Sequence, residues 1–219
     1  GVRDVTAAYI ESLVPITEQI ELNVAGRFDK YSDFGSAFSP KASLRYQPLD
    51  NLMLRTSWSR SFRAPSLSDL YAADSYSADW AKDYVYCEAN GISAADCPNR
   101  QYDTTRTSNE ELKEETADTW NFGVAYSPLD DLNLSLDYYT IKIEDVIQLN
   151  SLQSVIYDEL NNGGSSNITR NSQGKISGAI APMVNLGTLN TSGLDLKLDY
   201  RYDLTSATIR YDLGGTYIL

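Results

Sequence analysis

The sequence contains no histidine. That removes Ser-His-Asp and Cys-His catalytic arrangements and any imidazole metal site. Cysteine is nearly absent; Cys87 and Cys97 are the only two, both in a polar segment. Two thiols without histidine make a poor zinc site. A disulfide closing a small loop is the better reading and implies an oxidising compartment; two free thiols are the alternative. No run of 18 apolar residues occurs, so no transmembrane helix is encoded. That leaves a β-barrel open, because its hydropathy signal is much weaker. Basic residues are in the minority, 18 against 30 acidic, for a net charge of −12. A nucleic-acid surface needs a basic stripe, and none exists. The opening residues, GVRDVTAAYIE, read as strand rather than as a secretory leader. Glu110, Glu111, Glu114 and Glu115 read as a solvated loop edge rather than a catalytic pair. Nothing calls for a catalytic residue, a metal or a cofactor.

What remains is β-forming text. Of the aromatic residues 16 are Tyr, against 3 Trp and 5 Phe. Tyr favours strands and also membrane interfaces. Alternation with a period of two recurs along the chain. Ile20, Leu22, Val24 and Phe28 oppose Glu21, Asn23, Arg27 and Asp29. Leu52, Leu54, Thr56 and Trp58 oppose Met53, Arg55, Ser57 and Ser59. Trp120, Phe122, Val124 and Tyr126 share a third such face, and Leu132, Leu134, Leu136 and Tyr138 a fourth. Leu194, Leu196, Leu198, Tyr200 and Tyr202 oppose Asp195, Lys197, Asp199 and Arg201. Further strands are expected at Val5–Val14, Lys41–Tyr46 and from Ala207 to Leu219.

The connections have a rhythm. Short turns fall near residues 15–18, 47–50, 127–131 and 203–206. Between them lie a medium polar loop at 30–40 and long ones at 72–111 and 144–182, the last holding a stretch, VIQLNSLQSVIYDEL, that fits a helical turn or an irregular strand. Alternate connections of an up-and-down antiparallel sheet lie at the same end. One end is therefore all short turns and the other all longer loops. A soluble β-sheet protein also buries one apolar face, so alternation alone leaves both readings open. Aromatics at strand ends (Tyr46, Trp58, Tyr126, Tyr200, Tyr202) and strands long enough to cross a bilayer at a tilt favour the outer-membrane barrel.

One stretch is more specific. In Asn51–Tyr71, NLMLRTSWSRSFRAPSLSDLY, a strand runs into Phe62-Arg63-Ala64-Pro65. Proline cannot donate to a ladder, so pairing should end there. Ser66-Leu67-Ser68-Asp69 then has the form of a capping box. Arg55, Phe62, Arg63, Ala64, Pro65 and Ser66 belong to a block that resembles the "LR-x-S … FRAPSL" strand and loop of TonB-dependent outer-membrane receptors. Ala25-Gly26-Arg27-Phe28-Asp29, Ser39-Pro40-Lys41, Leu112-Lys113-Glu114-Glu115-Thr116 and Thr191-Ser192-Gly193-Leu194-Asp195 support the resemblance in order and spacing. Glu114 departs from it, since the family pattern has Pro there.

The resemblance implies an all-β fold: an antiparallel meander of about eight strands, residues 1–219, forming part of a 22-stranded transmembrane barrel. The loops at 72–111 and 144–182 are then extracellular, and the family's plug domain and TonB-contacting segment lie outside this chain. It implies a Gram-negative outer-membrane receptor, not an enzyme. Such a receptor imports a scarce siderophore, cobalamin, haem or carbohydrate. Its partners are outer-membrane lipid, its own plug and, through it, TonB, with no nucleic acid. A structural or adhesive β module, or a small complete barrel without active transport, is the alternative. Because the text begins and stops within strands, an internal piece of a receptor is expected. The candidate ligand contacts are Arg63 and the loop aromatics Tyr76, Trp80, Tyr84, Tyr86 and Tyr102, because Tyr and Trp give stiff amphipathic contacts. For Arg63, pairing with a nearby carboxylate at the strand exit is the plainer reading.

Overall fold

The computed structural model describes residues 2–219. In chain order it begins with β1 (Val5–Pro15), β2 (Ile20–Tyr31), β3 (Ser36–Leu49) and β4 (Leu52–Arg63). There follow α1 (Leu67–Tyr71), β5 (Ser75–Lys82), α2 (Tyr84–Ala89), β6 (Asn99–Thr107), β7 (Glu115–Leu129) and β8 (Leu132–Glu144). The chain ends with β9 (Ile147–Leu149), α3 (Leu152–Asn162), β10 (Ile168–Arg170), β11 (Ile176–Asn185), β12 (Thr188–Leu204) and β13 (Ala207–Ile218).

The elements form two compact units. The sheet unit comprises residues 3–63, 115–145 and 187–219. Its eight strands run in the order β1-β2-β3-β4-β7-β8-β12-β13, each antiparallel to its neighbour. This is the meander expected from the alternation. The hairpins at Asp50-Asn51, Asp130-Asp131 and Thr205-Ser206 are two-residue turns, closed by the pairs Leu49–Leu52, Leu129–Leu132 and Leu204–Ala207. The first two repeat one device. Tyr46-Gln47-Pro48-Leu49-Asp50 and Tyr126-Ser127-Pro128-Leu129-Asp130 each shift register between the Tyr and the Leu. The proline supplies no N–H, so the ladder must skip a rung beside it.

One expectation fails. The medium loop at 30–40 shrinks to residues 32–35, because β3 already starts at Ser36. Gly35, at φ +120°, makes the tight reversal, and Phe38 pairs with Phe28. Ser39-Pro40 looked like loop text, but the β3–β4 ladder starts only at the pair Lys41–Ser59. Pro40 therefore has no β4 rung to break, and it sits in a strand at no cost in hydrogen bonds. Only two connections at that end are long.

The insert unit is built from residues 64–114 and 146–186. The loops expected at 72–111 and 144–182 lie largely within it, and they are folded. Their sheet runs β10-β11-β6-β5, with β9 also paired to β11. The two segments are joined by a parallel ladder, from Ala179–Thr104 to Pro182–Thr107. The strand signal was hidden because NRQYDTTRT is polar at nearly every position. The alternating face from Leu194 to Tyr202 belongs to β12, which begins at Thr188; β11 ends just before it, at Asn185, in a different sheet.

The buried apolar clusters also divide unequally. Both belong to the insert unit. One joins Ala81, Leu152, Val155, Ile156, Ile168 and Ala179, and the other joins Leu70, Leu112 and Ile147. The sheet unit has two contrasting faces instead. One carries Leu44, Tyr46, Leu54, Phe122, Val124, Leu136, Tyr138 and Leu194. Its apolar side chains stand exposed: Phe38 is 58% accessible, Leu196 58% and Leu213 66%. The opposite face is polar, with Glu21, Asn23, Lys41, Arg45, Arg55, Asn121, Asp137 and Asp195 around a concavity of about 580 Å³.

Candidate functional site

The motif block at β4 is a set of structural joints. On the polar face, Arg55 reaches over β7 to the strand beyond. Its Nε and Nη2 donate to Asp137 at 2.9 and 2.6 Å. The fork can cross because the residue beneath it is Gly123, paired with both Arg55 and Asp137. A Cβ there would lie 2.0 Å from Asp137 Oδ1 and 2.7 Å from Arg55 Nε. Near the strand end, Arg60 forks onto Asp118, which also accepts the Trp58 indole N–H at 3.2 Å. Arg63 forks onto Glu115 with both contacts at 2.6 Å. Phe62 packs edge-on to Tyr31, their rings 6.0 Å apart.

In the insert unit, Pro65 is buried and Ser66 caps α1. Asp69 N donates to Ser66 Oγ at 3.1 Å, and Ser66 N to Asp69 Oδ2 at 2.9 Å. This is the capping box read from the sequence. Arg55 to Arg63 thus tie strands together, and Pro65 with Ser66 end one element and start the next.

The insert unit is held by a disulfide and an ionic knot. Cys87 and Cys97 are bridged, as the sequence suggested, with Cα atoms 5.9 Å apart. Immediately before α2, Asp83 caps that helix by accepting from Tyr86 N. The same carboxylate receives both Nη atoms of Arg170 on β10 at 2.8 Å. Arg170 also donates Nε and Nη2 to Glu159 on α3 at 2.8 and 2.7 Å, and Nη1 to the Gly174 carbonyl at 2.7 Å. Asp83 and Glu159 are buried. The hydrogen bonds it donates to Glu159, then to Asp83, hold the guanidinium even further above the usual arginine range. One side chain therefore fastens α2, α3 and β10. Nothing in Arg170's local sequence, ITRNSQG, signals this, since both partners are distant in the chain.

The candidate ligand contacts separate into groups. Arg63 is engaged with Glu115. Tyr102 packs on the α3 cluster, and burial followed by the charge of Asp83 pushes its phenol upward. Tyr84 stacks on Tyr157 at 5.3 Å, a partner the sequence did not single out, and Tyr86 is half-buried. Only Tyr76 and Trp80 present whole rings outward, at 85% and 63% accessible. They share one face of β5, and their cross-strand partners Thr105 and Gln101 belong to β6. No group of histidine, cysteine or acidic residues able to hold a metal occurs among the described residues.

These features define a class: an antiparallel wall with an exposed apolar face, and a separate folded unit built from two of the connections between its strands. The comparisons give the family. Residues 1–218 match the model for the TonB dependent receptor-like beta-barrel, and the chain belongs to that family. No curated protein matches it in sequence. Among solved structures, it is similar to the siderophore receptor PirA from Acinetobacter baumannii, with TM-score 0.74 and 18% identity over 99% of this chain and 28% of that one. It is likewise similar to a mutant of the ferric enterobactin receptor PfeA from Pseudomonas aeruginosa, with TM-score 0.73 and 20% identity over 99% and 27%. The hemophore receptor HasR of Serratia marcescens, solved with its hemophore HasA and heme, matches at TM-score 0.62 and 16% identity over 99% and 34%. The chain thus spans about a quarter to a third of the length of these receptors. These relatives are transport receptors, not enzymes.

Proposed function

We propose that this chain is part of a 22-stranded outer-membrane receptor that captures a scarce ligand and imports it with energy delivered through TonB. The sheet unit is then barrel wall and the insert unit is its extracellular, ligand-facing part. The plug that closes the lumen lies outside this chain. The ligand is drawn from the siderophore, haem, cobalamin or carbohydrate classes.

One observation carries this reading: the sheet's apolar face is exposed while both apolar clusters lie in the other unit. In water such a face would be an interaction patch or an aggregation hazard. Against lipid it is the expected outer surface of a barrel. Its outline agrees. Following the cross-strand pairs, Tyr46 is level with Leu54, Tyr126 lies one pair lower, Tyr200 two and Tyr202 three, across β3, β4, β7, β8 and β12. At the other edge, the charged row Arg60–Asp118–Lys142 lies two pairs below Lys30. The apolar band therefore slants against the hydrogen-bond direction. With ~6.6 Å per pair step and ~4.8 Å per strand, the slant is about 35–45°, the strand tilt of outer-membrane barrels. On β2, Ile20 to Lys30 then spans about 25 Å along the membrane normal, the height of such a band. The polar face lines the lumen, where Arg55, Asp137 and Asp195 meet water or the plug.

Adjacent residues provide a test. Leu136 lies mid-band on the apolar face, and Ser135 points the other way. In the whole receptor, Leu136→Arg should sharply reduce the folded, membrane-inserted protein, by about 2–4 kcal/mol of stability, while Ser135→Arg should leave insertion intact. Equal effects would refute the lipid-facing assignment. Import is tested by supplying radiolabelled ferric siderophores, haem and cobalamin to cells dependent on this receptor. Uptake that persists after TonB is deleted would refute the transport reading.

A further inference from the structure

One face of the insert sheet is covered by α3: Ala81 and Thr104 are buried there. The other face is bare. On it β5 presents Tyr76, Ala78 and Trp80, and β6 sets Thr105, Asp103 and Gln101 directly opposite them. Two aromatic rings so far in water lose the apolar burial that would normally justify their presence in a small folded unit. Their spacing along the strand, four residues, places them about 13 Å apart with only the Ala78 methyl between. The result is a shallow trough with a ring at each end, a small residue in the floor and a polar row along one side.

We propose that this face is a binding site for a neutral oligosaccharide chain. A sugar ring offers an apolar face of C–H groups and a rim of hydroxyls. Tyr76 and Trp80 would take the apolar faces of two separate rings, and Ala78 leaves room for the ring between. The side row supplies what the rim needs. The Asp103 carboxylate has no side-chain partner among the described residues, and it is a strong acceptor for paired hydroxyl donors. Gln101 donates to the Ala78 carbonyl at 3.2 Å, which fixes its amide beside the trough. Thr105 adds a hydroxyl.

Charge selects against the other flat ligands. Asp103 stands at the middle of the trough, opposite Ala78. Of the strand cations, Arg100 and Arg106 alternate onto the covered face, Arg106 engaged with Asp79, while Lys82 shares the parity of Trp80 but sits at the end of β5, four residues along from the Ala78–Asp103 pair. An anionic planar ligand, such as a ferric tris-catecholate, would meet an uncompensated carboxylate. A neutral polyol would meet an acceptor. The site needs only this face and does not depend on the import reading.

The test uses the whole receptor purified in detergent, with maltohexaose and cellohexaose as probes, read by calorimetry and saturation-transfer NMR. Binding should be saturable for at least one hexaose. It should weaken about tenfold in Trp80→Ala and in Tyr76→Ala, survive largely in Trp80→Tyr, and weaken in Asp103→Leu. Hydrogen exchange of α3, on the other face, should be unchanged in every variant, which separates lost contact from lost fold. No saturable binding of either hexaose, or binding indifferent to both aromatic truncations, overturns the proposal. So does a ferric tris-catecholate that binds here and tightens in Asp103→Asn. None of these results bears on TonB-dependent uptake, which is measured separately.

Discussion

Replacing Arg170 with Ala should unfasten the insert unit while leaving the sheet unit folded. In the native unit the guanidinium satisfies two buried carboxylates, Asp83 and Glu159, whose side chains are 5% and 10% accessible, while its own is 18% accessible. Truncation leaves both carboxylates facing each other's charge without a counter-ion. Breaking a buried ion pair from one side typically costs about 3–5 kcal/mol, because an uncompensated charge remains. Since Arg170 also holds the Gly174 carbonyl, the upper part of that range is expected. Local opening free energy in a unit of this size is of the same order, so α3 and β10 should open freely. The assay is hydrogen exchange on the whole receptor in detergent. Amides of α3 (Leu152–Asn162) and β10 should lose about a hundredfold or more of protection, and those of β7 and β8 should not change. Arg170→Lys should fall between, since it keeps the charge without the fork. A double change, Asp83→Asn with Glu159→Gln, should restore part of the protection to Arg170→Ala by removing the stranded charges. Unaltered protection of α3 in Arg170→Ala would refute the knot as the fastening.

Three further outcomes follow from the same geometry. Gly123→Ala places a methyl where the Arg55–Asp137 fork crosses β7 and should separate that pair. Because both side chains are partly exposed, the electrostatic loss is about 1 kcal/mol, with steric displacement added, and it is read as a lower thermal midpoint that Arg55→Ala does not lower further. Reducing Cys87–Cys97, or changing both to Ser, opens a short loop and should cost the insert unit about 3 kcal/mol, seen as faster proteolysis between residues 84 and 99 with the sheet unit resistant. Asp79 is opposed by burial, yet hydrogen bonds from Ser77 and Arg106 hold its carboxyl below 3.8. A depressed folded value adds stability above the unfolded value that disappears as pH falls through the folded one. Exchange protection in β5–β6 should therefore be flat from neutral pH to about 4 and fall only below that, by under about 1 kcal/mol because the pair is partly exposed. A drop between pH 7 and 5 would contradict this assignment.

Much of the wall was legible because its signals are local. Leu52 to Trp58 and Leu194 to Tyr202 show their faces by parity alone, and Asp50-Asn51 and Asp130-Asp131 mark turns by composition. Ser66 and Asp69 announced a cap because a capping box closes over four residues. The error at Ser36–Pro40 came from reading polar text as loop, when its pairing with β2 carries the strand and the absent β4 rung makes the missing N–H of Pro40 irrelevant. Strands β5 and β6 escaped notice because their polar faces carry no alternation that a linear reading can weigh.

The sequence by itself determined the alternating faces, the number of wall strands, the capped strand exit and the family, since each depends on residues within a few positions of one another. Only the tertiary structure decided that segments 64–114 and 146–186 fold as one unit, joined by a parallel β6–β11 ladder between residues more than seventy apart. It alone set Arg170 between Asp83 and Glu159, and Arg55 across Gly123 onto Asp137. Those pairings depend on which strands and helices become neighbours, and neighbourhood across a sheet or between loops is fixed by pairing and burial over the whole chain.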